Sequence, residues 1–247
     1  MSISERQGEI LKLLESDVYV SVNELARRTF TSSSSIRRDL TTLQNLGLVK
    51  RSYGGAGLSE ATEKVAGFYT RSCKNIKEKR AIAKKAATLL KDGQSILLDS
   101  SSTATFLLPY IARLDSPIVF TNNLETAIKA IQEGIRTHCL GGVSVNGSVS
   151  LAGSQTYKAL SELSVDIMFF SSQSLDNDGL ISDSTEEENF VRRLMLDRAK
   201  AKVLLCDSSK FGRRSLYKLC NLGEVDFAVF EKKYEELDVG ASILIAD

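Results

Sequence analysis

From residue 76 onward, short apolar runs alternate with stretches of helical periodicity, and this alternation limits the fold more than any other feature. SILLD, PIVF, RTHCL, DIMFF, KVLLC, DFAVF and SILIA are separated by segments such as IKEKRAIAKKAATLL, with further helices expected over Ala104–Ala112, Leu124–Gln132 and Glu186–Ala201. Runs of four or five apolar residues without polar alternation are typical of strands covered on both faces. Strands that take turns with helices imply crossover connections, so the class is α/β with a mostly parallel, Rossmann-like sheet. His138 falls inside one such run and is expected to be buried and hydrogen-bonded. Strand order cannot be read from the pattern.

The 247 residues allow one large domain or a small domain joined to a medium one. An apolar fraction of 43% and a charged fraction of 26% are those of ordinary globular chains. No apolar run reaches the length of a membrane span. MSISERQGEI lacks the apolar core of a signal peptide, so a cytoplasmic location is expected. Cys73, Cys139, Cys206 and Cys220 are widely spaced, which predicts reduced, mostly buried thiols rather than a disulfide framework or a metal site. No cofactor is expected.

The first fifty-odd residues follow a different rule. Ile10, Leu13 and Leu14 share a face of a helix over about Glu5–Glu15. Ser21 with Glu24 reads as a capping box opening a second helix that runs to about Arg28. A third helix begins in the serine run Ser32–Ser35, places Ile36, Leu40 and Leu43 on one stripe and ends at Gly47. Leu48–Tyr53 followed by Gly54-Gly55 predicts a two-stranded wing. With the stripe committed to packing, Ser33, Ser34, Ser35, Arg37 and Arg38 remain for an outward face. Small hydroxyl residues let a helix approach a DNA groove, and arginine can bridge O6 and N7 of guanine. Lys50 and Arg51 on the wing would reach a flanking phosphate. Between Val20 and Leu58, six basic residues (Arg27, Arg28, Arg37, Arg38, Lys50, Arg51) face only Glu24 and Asp39. Asp39 is expected to orient an arginine, because a carboxylate next to DNA is unfavourable. Ser59–Asn75, polar and weakly periodic, reads as a linker.

These residues carry a resemblance. Arg6 with Ile10, the Ile36–Leu40 core IRRDL, and Gly54–Ala56 occur in the order seen in the DeoR family of bacterial transcriptional regulators, and the chain resembles that family over nearly its whole length. Tyr53 stands where the family usually has histidine and is counted with the DNA-facing set. The resemblance implies a winged helix-turn-helix domain over 1–58, a linker over 59–75, and over 76–247 a sensor and oligomerisation domain similar to ribose-5-phosphate isomerase. It also implies a regulator, with repression of sugar uptake or catabolism genes expected. The partners would be double-stranded operator DNA, a phosphorylated sugar or related effector, and further copies of the chain in a homodimer or homotetramer.

Effector-binding landmarks then fall after successive strands: Asp99, Ser100, Ser101, Ser102 and Thr103; Asn122 and Asn123; Gly141 and Gly142; Gln173 and Asp176; and Lys210. Loops at strand C-termini are where open α/β sheets bind ligands. Asn122 and Asn123 also read as helix caps, and Gly141-Gly142 as a turn. Ser101 replaces the usual glycine of the first loop, and Ser171-Ser172-Gln173-Ser174 replaces a Gly/Ala-rich segment. The competing class is a sugar-phosphate isomerase or transferase with an accessory DNA-binding domain, for which Asp176, Asp207 and Lys210 offer acid–base groups. The resemblance implies that turnover was lost, so no catalytic residue is assigned.

Overall fold

The computed structural model describes residues 3–17, 19–58, 63–237 and 242–246, and it divides into two units, the first comprising the chain to Ile76 together with Asn146–Ser148. In that first unit, α1 (Glu5–Ser16) opens on a reciprocal box. The Ser4 hydroxyl accepts from the Gln7 N–H, and the Gln7 carboxamide oxygen accepts from the Ser4 N–H. After β1 (Val20–Ser21), α2 (Val22–Arg28) is capped by Ser21, whose hydroxyl accepts from the Glu24 N–H at 3.2 Å. The other half of the expected box does not form. The Glu24 carboxylate instead takes Arg27 and Arg28 at 2.7 and 2.6 Å, since a charge-assisted bond outcompetes one to a backbone amide.

The turn to the next helix passes through Phe30, which lies in the left-handed region at φ +49°. For a side chain other than glycine that conformation costs about 1–2 kcal/mol. α3 (Ser33–Asn45) follows, with Ser32 as its cap and Gly47 closing its end at φ +71°. Ile36, Leu40 and Leu43 are fully buried beside Ile10, Leu11 and Leu25, each burial contributing about 1.5–3 kcal/mol. The wing is β2 (Val49–Ser52) against β3 (Gly55–Leu58), and β3 also pairs with β1. Ser52 lies opposite Gly55, so the tight turn is Tyr53-Gly54 rather than Gly54-Gly55. Gly55 belongs to the strand, where a Cβ would come within 2.4 Å of the Val20 carbonyl oxygen.

The segment expected as a linker is a helix over most of its length, α4 (Glu63–Cys73). Tyr69 joins the core cluster of Ile10 and Leu40, and adjacent Phe68 is fully buried. This packing on α1 outweighs a weak intrinsic pattern. Residues 59–62 lie outside the described part of the chain.

In the second unit, α5 (Ile76–Ala86) leads to β4 (Ser95–Leu98), then through a tight 3-10 turn at Ala104–Leu107 to the short α6 (Leu108–Ile111). β5 (Ile118–Thr121), α7 (Leu124–Gln132) and β6 (Arg136–Cys139) come next. Then follow β7 (Val143–Ser144), β8 (Leu151–Ala152), α8 (Ser154–Ser161), β9 (Val165–Phe170), β10 (Ser174–Leu175), β11 (Leu180–Asp183) and α9 (Glu186–Leu196). The chain continues through β12 (Ala199–Cys206), β13 (Tyr217–Asn221), β14 (Phe227–Phe230) and β15 (Ser242–Ile245).

The expected helix to Ala201 stops at Leu196, because Ala199 already pairs with Val165 as the start of β12. Among the described residues, seven strands form a sheet in the order β15-β14-β12-β9-β4-β5-β6, every pair parallel. A small antiparallel sheet, β10-β11-β13, and the β7-β8 pair stand apart from it.

Two burial expectations change. His138 is exposed on edge strand β6, stacked on Phe120 with ring centroids 4.7 Å apart. An edge position exposes what an interior strand would cover. Cys206 and Cys220 are buried, and burial pushes both thiols up to about 12, but Cys73 is only half-buried and Cys139 is exposed.

Candidate nucleic-acid interface and effector site

The DNA-facing candidates divide according to what already holds them. Ser32 accepts from the Ser35 N–H, and the Ser33 hydroxyl donates to Asn23 Oδ1 of α2 at 3.1 Å, so Ser33 ties the two helices together. Ser34 is exposed, and Ser35 accepts from the Arg38 guanidinium at 3.4 Å. Arg37 and Arg38 stand in solvent on the first half of α3 and form no ion pair among the described residues. Lys50, Arg51 and Tyr53 are exposed on the wing, and Arg51 donates to Thr41 Oγ1 at 2.9 Å, linking wing to α3.

The basic excess read from sequence is therefore narrower than a count suggests. Arg27 is neutralised by Glu24, and Arg28 by Glu24 together with Asp17 at 2.8 Å; these arginines hold the Glu24 carboxyl down to about 2. Between Val20 and Leu58, the cations without an ion pair among the described residues are those of α3 and the wing. Asp39 does orient an arginine, from a direction the local sequence does not show: it is buried and accepts from Arg6 Nε at 2.6 Å and Gln7 Nε2 at 3.2 Å, both on α1.

In the second unit, parallel pairing lines up the C-terminal ends of β12, β9, β4, β5 and β6 along one end of the sheet. The loop after β4 is fastened by Asp99, which accepts from the Ser101 N–H and hydroxyl, the Ser171 N–H and Arg192 Nε. Four donors saturate a carboxylate, so Asp99 is a loop fastener rather than an acceptor free for a ligand. The Ser101 hydroxyl also accepts from the Ala104 N–H, which closes the following turn. Asn123 is likewise spent: it caps α7 by accepting from the Thr126 N–H at 2.9 Å and donates to the Ser100 carbonyl at 3.2 Å. Asn122 Nδ2 donates to the Leu151 carbonyl at 2.8 Å, while its buried Oδ1 has no hydrogen-bond partner among the described residues.

Two ammonium groups reach these loops. Lys210 Nζ donates to the Ser171 hydroxyl at 2.6 Å and lies 3.6 Å from Asp207, and Ser171 in turn donates to the Leu205 carbonyl. Lys79, only 4% exposed, donates to the Ser102 hydroxyl at 3.1 Å. Thr103 is buried directly after it.

Other candidates lie apart from this cluster. The Gln173 side chain is exposed, and Asp176 sits in the β10–β11 turn, held by Arg214 at 2.7 Å. The bond from the Asn177 N–H, more than Arg214, keeps the Asp176 carboxyl below its ordinary range. Gly142 has φ +117°, and a Cβ there would sit 2.2 Å from Thr156 Oγ1, so steric need accounts for it.

Sequence reading missed Lys79, Asp183 and Arg192. Arg192 is 4% exposed and bridges Asp99 at 2.8 Å and Asp183 at 2.9 Å. Burial works against its charge, but the two carboxylates outweigh that and hold it above the ordinary guanidinium range. For the two cations a signal was present. Lys79 shares the buried face of α5 with Ile82, Ala83 and Ala86, and Arg192 shares that of α9 with Met195 and Leu196. A charge on an apolar stripe is expensive unless something inside receives it.

Residues 6–62 match the DeoR-like helix-turn-helix domain, and residues 74–232 match the DeoR C terminal sensor domain. The HTH-type transcriptional regulator GolR of Listeria innocua serovar 6a is 32% identical over 250 residues, covering 98% of each chain. The lactose phosphotransferase system repressor of Staphylococcus epidermidis is 33% identical over 230 residues, 92% of this chain and 91% of its own. Ribose 5-phosphate isomerase A from Methanocaldococcus jannaschii is similar in structure over 56% of this chain and 55% of its own, at 21% identity and a TM-score of 0.43.

Proposed function

Because the chain belongs to the DeoR family of transcriptional regulators, we propose that it represses genes for the uptake or breakdown of a sugar and is released by a phosphorylated sugar or related metabolite. The observation that supports this most directly is the pair of lysines, Lys79 and Lys210, each donating to a serine hydroxyl at the loop end of the parallel sheet. Lys210 also keeps Asp207 at 3.6 Å, and an incoming phosphate would give either ammonium group a further charge-assisted bond. Around them, Ser100, Ser102, Thr103 and Asn122 supply polar groups for the rest of the ligand. Asp99, Ser101 and Asn123 shape the loops.

On the DNA side, α3 enters the major groove with Ser34, Arg37 and Arg38 toward the bases, and the wing cations meet flanking phosphates. A homodimer or homotetramer would place two such heads on paired half-sites, with residues 1–58 reading DNA and 76–247 sensing and assembling. No helix of the described residues is long and apolar enough to cross a membrane, and the proposed place of action is the cytoplasm. Effector and operator are then linked by a coupling of about 1–3 kcal/mol, a several-fold to hundredfold change in occupancy.

The test is a titration of the purified chain with phosphorylated sugars and polyols, reading thermal midpoint and operator affinity together. A true effector at a hundredfold over its dissociation constant adds about 2.7 kcal/mol of stability. If no member of the panel moves either reading, the effector class is wrong.

A further inference from the structure

Phe30 breaks two local rules at once. Its backbone is left-handed at φ +49°, where glycine or asparagine would sit with less strain, and its side chain is 97% exposed. Neither the turn nor the core asks for a phenyl ring. The turn is closed by main-chain bonds, from the Thr29 N–H to the Leu25 carbonyl at 2.9 Å and from the Thr31 N–H to the Ala26 carbonyl at 3.0 Å. Exposed single aromatics are common, but one kept at a strained backbone position is the kind of local exception expected at a functional contact.

Its place says what that contact is. Phe30 is two residues before Ser32, the cap of α3, and so stands beside the end of that helix which carries Ser34, Arg37 and Arg38. It is continuous with the surface that meets DNA. We propose that Phe30 is a DNA-contacting residue whose ring lies against the apolar surface of the operator, a thymine methyl or a deoxyribose, at the point where α3 enters the groove. Thymine methyls are the apolar feature of the major groove and accept such contacts. The proposal rests on the reading of α3 as the recognition helix.

The experiment uses the full-length chain and duplexes selected by it from a random-sequence library. Phe30→Asn suits the left-handed backbone, so its thermal midpoint should hold or rise, by about 2–4 °C if 1 kcal/mol of strain is relieved. Its operator affinity should fall about 5- to 30-fold, while Phe30→Leu, which keeps an apolar side chain, should recover part of the loss. Replacing thymine by uracil identifies the contact. If the difference between wild type and Phe30→Asn disappears, the methyl group is the partner; if it persists, the sugar is.

Affinity of Phe30→Asn within twofold of wild type overturns the proposal, as does a change in the sedimentation of the DNA-free protein, which would assign the ring to a protein contact. The Arg37→Ala/Arg38→Ala double variant separates the two layers of inference. If it loses binding while Phe30→Asn does not, only Phe30 is misassigned. If it binds normally, α3 is not the reader and the Phe30 proposal falls with it.

Discussion

Arg37 and Arg38 stand in water on α3 and form no ion pair among the described residues, whereas Arg192 lies buried between Asp99 and Asp183. The two regions use the same side chain for opposite purposes. On the head, charge is kept solvated and uncommitted, which under the proposed reading leaves it open to phosphate or a base edge. At the end of the sheet, charge is committed within the fold and fixes the shape of loops that neutral hydroxyls and two lysines line. A deletion should therefore be felt as lost binding in the first region and as lost stability in the second.

The sharpest way to break this contrast is at Arg192. Arg192→Met leaves two buried carboxylates facing each other and should destabilise the sensor unit by about 3–5 kcal/mol in urea denaturation. A loss under 1 kcal/mol would mean that Asp99 and Asp183 do not depend on the guanidinium. Next in size, Arg37→Ala/Arg38→Ala should weaken operator binding by about 2–6 kcal/mol if both arginines make good base contacts, measured by fluorescence anisotropy, with the urea midpoint unchanged. A fall in stability instead would place these arginines in the folded framework. Lys210→Ala should leave operator affinity intact and cut the response to effector about tenfold, on the scale of one charge-assisted hydrogen bond. Wild-type induction in that variant would remove Lys210 from the effector site. The smallest change is expected at Arg27, which is paired with Glu24: Arg27→Ala should alter operator affinity less than threefold, the scale of an exposed ion pair. A loss as large as that at Arg37 would show that pairing in the free protein does not predict which cations DNA recruits.

Legibility in the sequence followed range. The stripe Ile36, Leu40 and Leu43, the Ser32 cap and the Gly47 stop are local devices, and each stands in the structure as its spacing implied. So do the short apolar runs that became the parallel strands. What escaped depends on partners far away in the chain. The helix at Glu63–Cys73 has a weak pattern of its own and is recruited by packing on α1. Glu186–Leu196 ends early because Ala199 is claimed by β9, more than thirty residues before it. Asp39 is legible as a residue that orients an arginine, but that the arginine is Arg6 of α1 emerges only in the fold. Among the loop residues, the types at the strand ends were readable, but not which of them the fold itself consumes. Asp99 and Asn123 look like ligand contacts in sequence because the same donors and acceptors serve a loop and a sugar equally well.

The strand order also sets a schedule. β4 lies between β9 and β5, so its pairing with β9 waits for residues some seventy positions further along the chain. The apolar core of the winged head is drawn from residues between Ile3 and Tyr69. Local contacts form early and distant parallel pairings late, and synthesis proceeds from the N-terminus. On a ribosome, then, the helix-turn-helix head is complete well before the sheet of the sensor unit can close.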